Sequence, residues 1–330
     1  MEHADQQVLE KAIHWLGNGH RVFLAMVLQT WGSSPRPAGS LLTVRDDGLL
    51  EGSVSGGCIE EDLVGRLTKG DVGLKWPWRR IYGVDGDEAR RLGLPCGGRL
   101  EVLVECLTNT DTIAPIVDAM QQRRLMTRSM DLTTGHVVLK TASLHTPVFE
   151  YNNYCCCKVF GPVWQLLLIG AGQISHYVAL MAQALGYGVL VCDPRDNYSA
   201  NWDVPGTMQV AMMPDDIVRE RIKDERWAVV ALTHDPRLDD MALMEALESP
   251  AFYVGALGSR MNNKKRLERL ATLGISSNHL SRLHGPVGLP IGSHTPAEIA
   301  IAILAEMTAV RHGRLYDVRS VLSQSSTVTN

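Results

Sequence analysis

Two cysteines stand beside paired glycines, in positions where a thiol could serve as a ligand or a nucleophile. Cys58 follows Gly56 and Gly57 at the predicted start of a helix, and Cys96 directly precedes two further glycines. A helix N-terminus lowers the pKa of a thiol, and glycine allows the backbone to approach a ligand closely. The alternative is that both cysteines are small apolar fillers in glycine turns, because free cysteines are often buried and inert.

A second candidate site is a glycine turn between a predicted strand and a predicted helix. Gly170, Gly172 and Ser175 have the G-x-G-x-x-S spacing, and Asp193 ends the next predicted strand. Glycines at these positions permit a tight turn and close approach of a phosphate to the helix N-terminus, while the acidic residue can accept a ribose hydroxyl. The spacing predicts a Rossmann-type nucleotide site, or a turn of the same shape that binds nothing.

Polar residues also follow the next two predicted strands of this region. His234 and Asp235 could act as an acid or base there, or could form an Asp-Pro turn that caps the following helix. Ser259 and Arg260 follow the next strand and are candidate anion contacts. Residues 265–266 are basic and are more typical of a solvated helix face.

The elements that must position these residues differ between the two halves of the chain. Up to about residue 150, helical stripes are mixed with β-rich runs, and a helix after Gly57 is expected to stop at Gly70. From residue 165 onward strands and helices alternate. The predicted fold class is therefore α/β. It comprises a mixed α+β domain over residues 1–150, followed by a Rossmann-like domain over residues 163–330 with a parallel sheet and helices on both faces.

Composition restricts the kind of partner. The 330 residues carry a formal charge of −4, and acidic and basic residues are spread without long blocks, which predicts no binding to nucleic acid or membrane. No apolar run approaches the ~18 residues of a membrane span, and the acidic, amphipathic N-terminus differs from a signal peptide. We therefore expect a cytoplasmic protein whose partners are proteins or small molecules.

The seven cysteines are expected to be free thiols. Their number is odd and none forms the CxxC pair of a zinc ribbon, so neither a disulfide framework nor a metal site made of cysteine alone is expected. Cys155, Cys156 and Cys157 are adjacent in a segment of irregular pattern. We interpret this triplet as an incidental loop feature; if exposed, its thiols could accept persulfide sulfur but would also oxidise readily.

Eight motifs, taken together and in order, resemble the XdhC/CoxI family of accessory proteins for molybdenum hydroxylases. They are "GSSPRPAGS", "GSVSGGCIEEDL", "PCGGRLEVLVE", "LLLIGAGQIS", "CDPR", "LTHDPRLDD", "YVGALGSR" and "IGSHTPAEIAIAILAE". The resemblance covers residues from about 16 to 106 and from 163 to 310. As a set the motifs are specific, whereas the Gly-x-Gly turn alone would be a weak signal.

The resemblance implies a chaperone for the molybdenum cofactor, in the form of molybdopterin or its cytosine dinucleotide. Such a protein protects the cofactor while a cysteine desulfurase adds the terminal sulfur, and then inserts it into the large subunit of an apo hydroxylase such as xanthine dehydrogenase or aldehyde oxidoreductase. It is expected to be a homodimer without catalytic turnover or catalytic residues of its own.

The candidate residues suit this cargo. Cys58 is the candidate contact to molybdenum or sulfur, Cys96 approaches the same ligand, and Arg36, held between two prolines, is pre-oriented for a phosphate. Two other functions are compatible with the sequence. One is an NAD(P)-dependent oxidoreductase that uses the Gly170 turn, and the other is a scaffold that binds the hydroxylase without the cofactor.

Overall fold

The computed structural model describes residues 2–32, 36–57, 59–70, 76–84, 98–143 and 146–315. The chain divides into two compact units, Met1–Val163 and Trp164–Asn330.

The first unit mixes helices with short antiparallel strands. Its described helices are α1 (Glu2–Gly17), α2 (Glu60–Lys69) and α3 (Ala114–Gln121). Its described strands are β1 (Val22–Trp31), β2 (Leu41–Arg45), β3 (Leu50–Gly52), β4 (Trp78–Tyr82), β5 (Arg99–Leu107), β6 (Met126–Asp131), β7 (Val137–Thr141), β8 (Phe149–Tyr151) and β9 (Cys155–Phe160).

Strand β1 is the centre of a five-stranded antiparallel sheet in the order β3-β2-β1-β5-β4. Its residues alternate between two cores, as a period of two requires. Leu24 and Met26 belong to the core shared with α1, α3 and the second sheet, whereas Phe23 and Val27 belong to the core covered by α2. Because β1 is buried on both faces, its sequence is almost continuously apolar. This packing confirms the mixed α+β prediction.

The segment expected to be irregular contains part of a second sheet, with the order β7-β6-β9-β8. The interpretation of the three cysteines as a loop feature was wrong, because Cys155–Phe160 is strand β9 and pairs with β6 and β8. Alternation along the strand buries Cys156 against Met26, with 3.6 Å between their sulfur atoms. Cys155 and Cys157 project to the other face, half-buried, with 3.4 Å between their Sγ atoms.

The second unit alternates strands and helices along the chain. Its described strands are β10 (Gln165–Ile169), β11 (Gly188–Cys192), β12 (Met208–Val210), β13 (Trp227–Ala231), β14 (Tyr253–Ala256) and β15 (Leu283–His284). Its described helices are α4 (Gln173–Ala184), α5 (Asp196–Ser199), α6 (Pro214–Arg221), α7 (Pro236–Glu248), α8 (Arg260–Thr272), α9 (Ser277–Leu280) and α10 (Pro296–Arg311).

The strands of this unit form one parallel sheet with the order β12-β11-β10-β13-β14-β15. Helices α6, α7 and α8 contribute to the core on one face, and α4 and α10 to the core on the other. This is the doubly wound Rossmann order, with the change of direction between β10 and β13. The prediction of a Rossmann-like domain with helices on both faces is confirmed.

None of the helices in the described part of the chain is long and apolar enough to cross a membrane.

Candidate functional site

A buried carboxylate organises the glycine-rich loop that precedes position 58. Glu60 is the first residue of α2, which ends at Gly70 as predicted. Its carboxylate accepts hydrogen bonds from the N–H groups of Val54 (3.0 Å), Ser55 (2.9 Å) and Gly57 (3.0 Å) and from the hydroxyls of Ser53 (2.7 Å) and Ser55. One side chain therefore fixes the backbone conformation of the whole segment from 53 to 57.

The ionised form of Glu60 is strongly favoured. Burial alone would raise the pKa of this carboxyl, but the hydrogen bonds from Ser55 and Ser53 outweigh it and lower the pKa to about 2. The two glycines are predicted to let the backbone approach a cofactor closely. Their amides already have acceptors, because Gly57 donates to Glu60 and Gly56 donates to Ser53 Oγ at 2.9 Å. The exposed surface of this loop is bare backbone, since a Cβ placed on Gly57 would meet nothing within 4 Å.

Of the three predicted cofactor contacts in the first unit, only one lies among the described residues. Cys58 and Cys96 lie outside the described residues. Arg36 is exposed at a bend ahead of β2. Their roles as cofactor contacts remain predictions.

The two glycines of the turn after β10 have different surroundings. Gly170 has φ +103°, and a Cβ there would lie 2.9 Å from Thr233 Cγ2 and 3.2 Å from its backbone nitrogen, so a side chain would collide with the loop after β13. Gly172 is the N-cap of α4, has no side-chain cap, and has nothing within 4 Å of an added Cβ. The N-cap itself therefore does not block the approach of a phosphate to the N-terminus of α4.

Asp193 differs from the sequence expectation. Its carboxylate is fully buried and accepts hydrogen bonds from the Ala171 N–H (2.8 Å), the Arg195 N–H (3.1 Å) and two Arg195 guanidinium nitrogens (2.8 Å each). Burial opposes ionisation of Asp193, but the hydrogen bonds from Arg195 prevail and lower its pKa. A ribose could reach Asp193 only by displacing Arg195. In this structure Asp193 instead stabilises the Gly170 turn by accepting the hydrogen bond from the Ala171 N–H.

Other predicted polar residues are helix caps or packing residues. Ser175 is fully buried in α4, where its small side chain allows close packing. Asp235 caps α7 through the Arg237 N–H at 2.9 Å, which is the Asp-Pro turn alternative, and His234 is exposed beside it. Ser259 caps α8 through the Asn262 N–H at 3.2 Å, and Arg260 is the exposed first residue of that helix.

A cleft of about 260 Å³ lies next to these caps, at the carboxyl ends of β13 and β14. We call it the α7–α8 cleft; it is lined by Thr233, His234, Pro236, Asp239, Leu257, Gly258, Asn262, Lys265, Arg266 and Arg269. Ser259 and Arg260 adjoin this lining without belonging to it. The cleft is built on a buried ion-pair network in which Arg266 contacts Asp239 at 3.0 Å and Asp240 at 3.1 Å. Burial raises the pKa of Asp239 to about 6, against the opposing effects of Thr233 and Arg266.

The structure thus groups the predicted residues into separate sites. Gly170, Gly172 and Asp193 meet at one turn, whereas Gly56 and Gly57 belong to the loop held by Glu60. The described residues contain no cluster of three or more His, Cys, Asp or Glu side chains that could hold a metal ion.

Sequence reasoning missed three residues with central positions. Glu60 was not among the predicted site residues, yet its place three residues after Gly57 is a usable signal for a carboxylate that turns back onto the preceding loop. Arg195 was missed although its partner Asp193 lies only two residues earlier, because a short motif does not show which of its side chains pair. The interpretation of Arg266 as part of a solvated helix face was wrong, since its ion pairs with Asp239 and Asp240 of α7 hold it buried.

Comparison with known proteins places both units in one family. A family model described as the XdhC Rossmann domain matches residues 166–307, and the model of the XdhC and CoxI family matches residues 15–69. The molybdenum cofactor insertion chaperone PaoD of Escherichia coli (strain K12) is 26% identical over 314 residues, which cover 92% of this chain and 88% of PaoD.

Two further similarities also extend over most of the chain. A Bacillus subtilis (strain 168) protein, named as a probable subunit of xanthine dehydrogenase, is 26% identical over 313 residues, covering 87% of this chain and 92% of that protein. A crystal structure from Bacillus halodurans, named as a xanthine dehydrogenase, superposes with a TM-score of 0.75 at 24% identity, covering 94% of this chain and 96% of the other. That likeness establishes a common fold. With the two family models and the parallel Rossmann sheet, these comparisons identify the chain as a member of the XdhC and CoxI family.

Proposed function

We propose that this protein is a chaperone for the molybdenum cofactor, which it binds as cargo, protects during terminal sulfuration and inserts into a molybdenum hydroxylase. The observation that carries the proposal is the similarity, over 92% of the chain, to a protein named as a molybdenum cofactor insertion chaperone. The similarity to a protein named as a probable subunit of xanthine dehydrogenase supports a hydroxylase of that type as the client.

The loop fixed by Glu60 supports this function physically. A chaperone that must later release its cargo gains from a binding surface that is rigid before the cargo arrives, because little ordering entropy is then lost on binding. Five hydrogen bonds to Glu60 provide that rigidity immediately before Cys58. In this proposal the Cys58 thiolate contacts molybdenum or its sulfur, Cys96 approaches the same ligand, and Arg36 binds the pterin phosphate.

The direct test compares two cysteine variants purified from cells that make the cofactor. Cys58→Ala is expected to retain about tenfold less pterin than wild type, in keeping with the cost of disturbing a metal-ligand site. Cys106→Ala removes a half-buried thiol from β5 of the same unit and serves as the matched control. Retained pterin is measured by fluorescence after oxidation. Equal retention by wild type and Cys58→Ala would exclude a direct contact.

A second candidate function is an NAD(P)-dependent oxidoreductase. The strand order β12-β11-β10-β13-β14-β15 and the open approach to Gly172 favour a nucleotide ligand of some kind. The saturated carboxylate of Asp193 weighs against a ribose diol at its usual place. Titration with NAD and NADP, followed by a search for nicotinamide absorbance changes with alcohols and aldehydes, distinguishes this function from the chaperone.

The proposed partners follow from the same function. They are the large subunit of the apo hydroxylase, a cysteine desulfurase that supplies the sulfur, and a second copy of this chain in a homodimer. The proposed location is the cytoplasm, and the proposed cargo is molybdopterin or its cytosine dinucleotide form.

A further inference from the structure

The α7–α8 cleft contains a guanidinium whose hydrogen-bonding capacity is not fully used. Arg266 is 6% exposed. Its Nε donates to Asp240, its Nη1 to the Leu257 carbonyl and Asn263 Oδ1 at 2.9 Å each, and its Nη2 to Asp239. A guanidinium has five N–H donors, so one Nη2 hydrogen has no acceptor among the described residues. That donor belongs to a side chain that lines the cleft.

The charges around the cleft do not cancel. Arg266 and Arg269 share Asp239 and Asp240, with 2.7 Å between Arg269 Nε and Asp240 Oδ2. Lys265 also lines the cleft, and no carboxylate of the described residues pairs with it. The group therefore has one positive charge in excess, located on a flexible side chain at the solvent edge. Such an arrangement attracts an anion and leaves the buried pairs intact.

The size of the cleft restricts the anion. Pockets that enclose a drug-sized molecule have volumes of roughly 300–1,000 Å³, and the α7–α8 cleft, at about 260 Å³, lies just below that range. It accommodates a phosphate with a small attached group rather than a whole dinucleotide. The Asn262 side chain adds a neutral amide to the lining.

We infer that the α7–α8 cleft is a binding site for a phosphate-bearing small ligand, in which Lys265 and the remaining N–H of Arg266 contact the phosphate oxygens. Charge-assisted hydrogen bonds of this kind are the strong ones in phosphate recognition. The inference goes beyond the proposed chaperone function, because it assigns a second anion site to the Rossmann unit. A pterin phosphate and a nucleotide phosphate share this chemistry.

The test is calorimetric titration of the full chain, prepared without molybdenum cofactor, with inorganic phosphate, pyrophosphate and CMP at low salt. Lys265→Ala is the informative variant, because its side chain is exposed and its loss leaves the buried network in place. Lys264→Ala is the matched control, since Lys264 is the exposed neighbour with the same charge but does not line the cleft.

We expect at least one of the three compounds to bind, with affinity reduced about tenfold or more by Lys265→Ala, as for the loss of a hydrogen bond to a charged group. Lys264→Ala should change the affinity less than about twofold, as expected for a surface charge outside the site. Tighter binding of CMP than of phosphate would identify a nucleotide as the ligand, and equal binding would identify the phosphate group alone.

Two results would overturn the inference. One is the absence of binding by all three compounds at millimolar concentration. The other is an equal loss of affinity in both lysine variants, which would indicate nonspecific electrostatic attraction or a phosphate bound only at the Gly170 turn. Because these titrations contain no molybdenum, either result leaves the chaperone proposal untouched.

Discussion

Replacing Glu60 with glutamine keeps the shape of the side chain and removes one of its two acceptor oxygens. Glu60 Oε1 accepts from Ser53, Val54 and Ser55, and Oε2 accepts from Ser55 and Gly57. If the glutamine oxygen takes the place of Oε1, its NH₂ group faces the Gly57 N–H, and two donors then oppose each other. The loop from 53 to 57 loses its fixed conformation at the glycine next to Cys58.

The size of the effect can be obtained in two ways. The pKa of Glu60 is lowered from 4.5 to about 2, which corresponds to about 3 kcal/mol of stability at neutral pH. A buried donor left without an acceptor costs about 1–3 kcal/mol. We therefore expect Glu60→Gln to lower the free energy of unfolding by about 2–3 kcal/mol at pH 7.

The pH dependence of this difference has a definite sign. Because the folded pKa is lower than the unfolded one, the carboxylate contributes its full stability above pH about 4.5 and loses it as the pH falls towards about 2. The gap between wild type and Glu60→Gln should therefore be constant near neutrality and shrink in acid. Other carboxylates titrate equally in both proteins and cancel in the difference.

The assay is urea unfolding at a series of pH values, with Glu61→Gln as the control. Glu61 is the exposed next residue of α2, so its substitution makes the same charge change without touching the loop and should shift stability by less than about 0.5 kcal/mol. The role assigned to Glu60 is refuted if the two variants are equally stable, or if the gap persists unchanged in acid.

Three further predictions concern single residues. Gly170→Ala should lower the free energy of unfolding by about 2–4 kcal/mol, because the positive φ and the 2.9 Å approach to Thr233 both oppose a side chain. Gly172→Ala should change the free energy of unfolding by less than about 1 kcal/mol. Equal losses for the two variants in denaturant unfolding would contradict this difference. Burial and the hydrogen bond with Cys157 raise the pKa of Cys155 to about 11, so its alkylation rate, followed by peptide mass spectrometry, should rise about tenfold per pH unit from 7 to 10; a plateau below pH 9 would refute it. Tyr253→Phe removes the 2.6 Å hydrogen bond to the buried Glu306 carboxylate and should cost about 1–3 kcal/mol in thermal or urea unfolding; an unchanged stability would show that Glu306 does not need this donor.

The sequence predicts the Rossmann unit well because its signals are local. Strand and helix alternate with clear periodicity, and the Gly-x-Gly spacing indicates the tight turn at Gly170. The contact with Thr233 that excludes a side chain at Gly170 is visible only in the structure. The helix stop at Gly70 is correct for the same reason.

The features that the sequence did not predict depend on burial and on side-chain pairing in the folded protein. Strand β9 looks irregular in sequence because its inward positions include Cys156 and the buried Lys158. The charge of Lys158 is balanced by Asp5 of α1, with 2.8 Å between Lys158 Nζ and Asp5 Oδ2. Arg195 looks like a turn residue in the sequence, and only the structure shows that its guanidinium pairs with Asp193 two residues earlier. Burial and pairing of this kind are set by tertiary structure rather than by local propensity.

Native mass spectrometry of the wild-type protein, purified from cells that make the molybdenum cofactor, tests the proposed chaperone function most directly. A cofactor chaperone should show an added mass equal to a molybdenum-bearing pterin, with or without an attached cytidine nucleotide, and a much smaller bound fraction in Cys58→Ala. A wild-type protein that carries only a nicotinamide nucleotide, or no pterin at all, would contradict the central claim.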